Sequence, residues 1–116
     1  MKIYLCCPVR KADDALRTQL EAYVAKLEGE GHHVHYPARD TKQDTSGLNI
    51  CTQNTAAIQW CDEFHIWYDP ASTGSHFDMG AAFVLGKRLV VVHNVPYGEG
   101  KSFPRMLDEW AAMPKR

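Results

Sequence analysis

The sequence predicts an α/β protein: a three-layer sandwich around a parallel sheet of four or five strands. Three observations lead there. Short apolar runs at residues 2–7, 33–36, 63–68 and 88–93 have the length and composition of buried strands. Helical patterns at residues 11–28, 50–60, 75–85 and 103–113 separate or follow them. Strand and helix therefore alternate, which implies parallel pairing through right-handed crossovers. This is a Rossmann-like, flavodoxin-like order.

Each element has a local reason. The first strand runs to Cys7 and is bounded by Pro8. The first helix carries Ala15, Leu16, Leu20, Tyr23, Val24 and Leu27 at helical spacing, with Gly29 and Gly31 as stop signals. Pro37 ends the second strand, and residues 39–48 are polar without a period, which reads as a loop. In the second helix Ile50, Asn54, Ala57 and Ile58 share a stripe. In the third strand Phe64, Ile66 and Tyr68 alternate with His65 and Trp67. Residues 69–74 have turn chemistry, and the small-residue helix after them, with Gly80, Ala81 and Ala82, stops at Gly86. Leu89 to Val92 form the apolar run of the fourth strand.

Composition limits the function. The 116 residues correspond to about one domain, so residues 1–116 are read as a single unit. A content of 45% hydrophobic and 23% charged residues excludes extensive disorder and collagen-like architecture. The longest apolar runs are too short to span a membrane. Thirteen basic against 14 acidic residues leave a net charge of −1, with no global attraction to a nucleic-acid polymer or an anionic membrane. Met1 to Leu5 enter a strand with no signal or transit pattern, so a cytoplasmic location is expected. Cys6, Cys7, Cys51 and Cys61 match no zinc or redox spacing and are read as small, reduced residues.

In open α/β sheets ligands bind beyond the carboxyl ends of the strands. The segments of interest are therefore 7–11, 37–48 and 69–75. In the last, Ser72, Gly74 and Ser75 stand where a helix begins, so free N–H groups and hydroxyls suit a phosphate or carboxylate. They equally suit a plain helix cap. Asp78 follows in what reads as the first helical turn, as dipole compensation or as a nucleophile aimed into the cleft. Arg10 has the fork for a phosphate or is a solvated charge. Arg39 and Asp40 reach a ligand or pair with each other. His32, His33 and His35 cluster, but a metal site needs a third converging ligand, so no metal is assigned. Trp60, Trp67, Tyr68 and Trp110 are read as core or interface anchors, one of them a candidate to stack on a base.

Three segments stand in order: Ile3-Tyr-Leu-Cys-Cys-Pro-Val-Arg10, Asn54 with Asp62, and Gly74-Ser-His-Phe-Asp-Met-Gly80 followed by Ala82, Gly86-Lys87-Arg88 and Val90. Together they resemble the nucleoside 2-deoxyribosyltransferase superfamily, including the 2'-deoxynucleoside 5'-phosphate N-hydrolases. The resemblance implies cleavage or transfer of an N-glycosidic bond through a carboxylate nucleophile, with no cofactor. It places the nucleophile on Asp78, the orienting tyrosine on Tyr4, and the residue assisting base departure on Asn54. Ser72 stands where the phosphate-accepting branch carries serine, so with Arg10 it leans toward nucleoside monophosphates as the small-molecule partner. Cys7, Arg10, Arg39, Asp69, Ser72, Gly74 and Ser75 make up the implied substrate and phosphate contacts.

The chain departs from the family pattern at three points. Asp78 is one methylene shorter than the family glutamate, Asn54 does not titrate as an acid, and Cys7 replaces a frequent glycine. His76, Asp69 and Asp40 are possible replacement acids. These departures sustain the alternative reading, a nucleotide-binding or sensing module that kept the pocket. A structural α/β protein with an empty cleft is the third. Members of the family assemble, so a homodimer or larger homo-oligomer is expected, with Gly80, Ala81 and Ala82 permitting close helix contact.

Overall fold

The structure, a computed structural model, describes residues 1–43 and 45–114. Its elements in chain order are β1 (Lys2–Cys6), α1 (Asp14–Gly29), β2 (His33–His35), α2 (Pro37–Asp40), α3 (Gly47–Trp60), β3 (Glu63–Trp67), α4 (Thr73–Val84), β4 (Arg88–His93) and α5 (Phe103–Ala111). The strands form one four-stranded sheet in the order β2-β1-β3-β4, and every pairing is parallel. The four-strand form of the predicted sheet is thus the one adopted.

Alternation along β1 divides the interior. Ile3 and Leu5 face α1, packing with Val34, Leu20, Val24 and Leu27. Tyr4 and Cys6 face the other way, into a larger cluster with Phe64, Ile66, Ile58, Met79, Leu107 and Trp110. α1 therefore covers one face of the sheet, while α3, α4 and α5 cover the other. Leucine and β-branched side chains in these clusters are withdrawn from water at about 25 cal/mol per Å² of apolar surface.

Helix boundaries follow side-chain caps. The Asp13 carboxylate accepts the Leu16 N–H at 2.8 Å and starts α1, and Gly31, at φ 94°, supplies the left-handed turn after it. Ser46 accepts the Asn49 N–H at 3.2 Å, so α3 begins at Gly47 rather than Ile50. Ser72 caps α4 in the same way, so that helix begins at Thr73 rather than Ser75. Residues 37–40, read as loop and strand end, form the short helix α2: Pro37 sets the entry dihedral, and Asp40 accepts the Tyr36 N–H at 2.8 Å. Caps are single hydrogen bonds and leave no periodicity in the sequence. Asp44, within the same predicted loop, lies outside the described residues.

Cys6, Cys7 and Cys61 are free and buried, and Cys51 is free and half-buried. No helix among the described residues is long and apolar enough to cross a membrane.

Candidate active site

The carboxyl ends of β1 and β3, the start of α4 and the middle of α3 enclose a cavity of about 370 Å³. Its wall includes seven of the residues singled out from sequence: Cys7, Arg10, Asn54, Ser72, Gly74, Ser75 and Asp78. These come from three distant segments, and the parallel sheet brings them to one edge, as the crossover topology requires.

Asp78 is the central group. It lies in the second turn of α4, not the first, because the helix begins at Thr73. It is buried, at 6% exposure, on the face of α4 toward the sheet. The Tyr4 hydroxyl donates to Asp78 Oδ2 at 2.8 Å. Burial raises the carboxyl to about 6, with the Tyr4 hydrogen bond opposing the rise. Above that pH it is an anion in a poorly solvated place, with only one oxygen engaged. Tyr4 is pushed far up, first by burial and then by the Asp78 charge, so it stays a hydrogen-bond donor. Its ring is clamped in a stack between Phe64 and His35, with centroids 5.5 and 5.4 Å away. Tyr4 itself lies behind the cavity wall and acts on it through Asp78.

Around Asp78 the wall is polar on one side. The Ser72 and Ser75 hydroxyl oxygens are 2.7 Å apart, and Ser72 Oγ also accepts the Ser75 N–H at 3.3 Å. The Ser72 cap and the cavity wall are thus the same residue, so the two readings of this turn coexist. Arg10 and Lys11 line the cavity and pair with no carboxylate among the described residues. Cys7, pushed up to about 12 by burial and by the Asp78 charge, stays a neutral thiol.

Asn54 lines the cavity at 9% exposure, and its Oδ1 accepts the Thr41 hydroxyl at 2.6 Å. The Lys42 N–H donates to Gln53 at 3.0 Å, so the segment after α2 is fastened to α3 twice. Gln43, Gly47, Ile50 and Cys51 complete this side of the cavity. Sequence reasoning missed them. The only signal was that the segment follows a strand, since the contacts depend on how the loop lies against α3.

Other candidates fall elsewhere. Arg39 is bound to Glu28 at 3.0 Å, to Asp40 at 2.8 Å and to the Val34 carbonyl at 3.0 Å, outside the cavity wall. Two carboxylates engage its fork there, and it does not line the cavity. Asp69 is also outside the wall, accepting the Ala71 N–H at 2.9 Å within its own turn. Asp40 caps α2. His76 Nδ1 donates to the Ser72 carbonyl at 2.7 Å, and its Nε2 meets the Tyr68 hydroxyl at 2.9 Å. None of Asp40, Asp69 and His76 therefore lines the cavity as a replacement acid. Asp62 sits at the far end of α3, accepting the Lys2 N–H at 2.8 Å and so holding the start of β1. Trp60, Trp67, Tyr68 and Trp110 are absent from the wall, so none is placed to stack on a base. No cluster of three metal-binding side chains occurs among the described residues.

Residues 3–105 match the nucleoside 2-deoxyribosyltransferase family. The chain belongs to that family. Solved structures with the same fold include the CMP N-glycosidase of Clostridium botulinum, 22% identical with a TM-score of 0.61 over 78% of this chain and 67% of that one. They include the 2-deoxyribosyltransferase of Bacillus psychrosaccharolyticus, 21% identical with a TM-score of 0.70 over 94% of this chain and 81% of that one. A third is the 2-deoxyribosyltransferase of Leishmania mexicana, 23% identical with a TM-score of 0.64 over 80% and 64%. No curated protein sequence matches the chain. Identities this low establish a shared fold, while the site has to be argued from its own side chains.

Proposed function

We propose that this protein cleaves the N-glycosidic bond of a nucleoside or nucleoside 5'-monophosphate, or transfers its sugar, with Asp78 as nucleophile. The observation that carries the reading is the buried Tyr4–Asp78 pair, 2.8 Å long, at the edge of a cavity in a nucleoside 2-deoxyribosyltransferase scaffold. The free Asp78 oxygen attacks the anomeric carbon. The bond to the base breaks, its electron pair leaves with the base, and a glycosyl ester remains. Water, or a nitrogen of a second base, then attacks the same carbon and returns the carboxylate. Tyr4 holds the other oxygen and fixes the direction of attack.

The 5'-phosphate is assigned to Ser72, Gly74 and Ser75, with Arg10 and Cys7 lining the same cavity. Support comes from the start of α4. The Thr73 and Gly74 N–H groups have no backbone acceptor, and two hydroxyls sharing one hydrogen bond leave one proton to donate. The same reading takes residues 1–116 as one domain acting without a cofactor on a small molecule in the cytoplasm. It also takes the protein as a homodimer or larger assembly. Phe77, Gly80 and Val84 lie on one exposed face of α4, with Phe77 at 52% and Val84 at 83% exposure. Ala82 is not part of that face, since it is fully buried against the sheet.

The test is incubation with a panel of deoxynucleosides and their 5'-monophosphates, with chromatography for free base. The expected result is base release that disappears in Asp78→Asn, and monophosphate affinity that falls about tenfold or more in Ser72→Asp through like-charge repulsion. A second reading rests on Asn54, an amide where the family has an acid: a nucleotide-binding module without turnover. A ligand-dependent rise in melting temperature with no base released by the parent protein would favour it.

A further inference from the structure

Asn54 is part of a buried hydrogen-bond chain whose direction is set by chemistry. An amide oxygen only accepts, so at 2.6 Å Thr41 must donate its single hydroxyl proton to Asn54 Oδ1. Thr41 Oγ1 also lies 2.9 Å from His35 Nε2. With its proton committed, Thr41 accepts there, and His35 must carry a hydrogen on Nε2. The His35 ring stacks on Tyr4 with an interplanar angle of 7°, which fixes the plane of the ring. At the other end, Asn54 Nδ2 has no hydrogen-bond partner among the described residues. No fully buried side-chain nitrogen or oxygen among them lacks a partner, so this group is open to the cavity that Asn54 lines.

We infer that His35 and Thr41 are positioning residues which lock the Asn54 amide as a hydrogen-bond donor into the cavity, facing a lone pair on the ligand's base. The inference rests on the N-glycosidic reading for its catalytic half. As the glycosidic bond breaks, its electron pair moves onto the base and builds negative charge on a carbonyl oxygen or ring nitrogen. A fixed N–H stabilises that charge without surrendering a proton, and the base takes its proton from water afterwards. Hydrogen-bonded chains polarise each other, so the His35 and Thr41 donors strengthen the Asn54 N–H at the far end. The lock also explains the two fastenings of residues 41–42 to α3: they hold the relay in register.

Without proton transfer, turnover depends steeply on how well the base carries charge. A 5-fluorouracil deoxynucleotide is expected to react roughly tenfold faster than the uracil one, and a position that donates a proton would flatten that ratio.

Three measurements test the inference. The ligand-free protein, labelled with ¹⁵N, is expected to show His35 as the neutral Nε2–H tautomer, and an Nδ1–H tautomer overturns the relay whatever the protein's activity. Thr41→Val is expected to weaken monophosphate binding, read by calorimetry, about fivefold or more. Thr41→Ser, which keeps the hydroxyl, is expected to stay near the parent and guards against misfolding of the valine variant. Equal affinities in all three proteins overturn the inference. Asn54→Asp is expected to lower turnover, since it replaces a donor with an acceptor. A gain in turnover, with a flattened fluorouracil-to-uracil ratio, means that position 54 works best as an acid and overturns the inference. If no protein releases base while the tautomer and the Thr41 series come out as expected, the catalytic reading fails and the donor lock stands.

Discussion

Two tyrosines in this molecule each hold a titratable side chain, on opposite faces of the same sheet. Tyr4 donates to Asp78 at 2.8 Å on the face covered by α3, α4 and α5. Tyr23, on α1, meets His65 Nδ1 at 2.6 Å on the other face, and His65 Nε2 meets Glu63 at 3.0 Å, with Arg88 3.6 Å from Glu63. As a drawing of bonds, the second group is the richer. Its atoms are saturated, however. Burial lowers the His65 pKa while Glu63 opposes it, and none of Tyr23, His65 and Glu63 lines the 370 Å³ cavity. Asp78 keeps one oxygen free, and that oxygen opens on the cavity. An unfinished hydrogen-bond set beside a cavity marks a place for a ligand, whereas a finished one marks a brace.

The largest separation between the two groups is expected in turnover. Asp78→Asn should reduce base release roughly a thousandfold or more, because under the proposed mechanism it removes the attacking group and keeps its shape. Tyr23→Phe should leave it unchanged. Comparable losses in both would erase the distinction. Asp78→Glu, which restores the family's reach, should preserve or raise turnover.

Stability against pH comes next. Burial raises the Asp78 carboxyl from 3.8 to about 6, so between those values the folded protein holds a proton that the unfolded chain has lost. Stability from this group therefore falls as pH rises through that window and is level above it. Asp78→Asn removes the fall. It should be more stable than the parent by about 3 kcal/mol above pH 6, with the gain vanishing toward pH 4, in denaturant titrations across the range. Loss of activity accompanied by gained stability would identify a group kept for chemistry.

Tyr4→Phe should lower turnover by roughly tenfold to a hundredfold. It should also move the acidic limb of the pH–rate profile upward, since the hydrogen bond that held the carboxyl down is gone. An unmoved limb would mean that Asp78 is not the group titrating. The smallest effect belongs to the brace: Tyr23→Phe should cost about 0.5–1.5 kcal/mol of stability in the same titrations.

Some of this was legible in the sequence for a definite reason. Ser72 stands at a helix start, Asp78 one turn beyond it and Tyr4 within the first strand, and an α/β chain gathers helix starts and the carboxyl ends of its strands at one edge. Asn54 was legible through its place in a motif, but its orientation was not. That depends on Thr41, 13 positions away in a segment without a period. Arg39 looked equally suited to a ligand. Only the packing of α1 against β2 brings Glu28 beside it and engages its fork.

By itself, the sequence determined what is local or periodic. Apolar runs and spacings select strand or helix, alternation selects a parallel sheet, and Gly31 and Gly86, at φ 94° and 70°, end helices because glycine has no side chain to oppose that turn. Tertiary structure alone decided what depends on contacts between segments far apart in the chain. Burial in the fold pushes the Asp78 carboxyl up to about 6, against the pull of the hydrogen bond from Tyr4, 74 positions earlier. Asn54 faces the cavity as a donor because Thr41 reaches its oxygen first. Burial and hydrogen-bond direction are properties of a neighbourhood, and the fold assembles that neighbourhood from segments that no window along the chain contains.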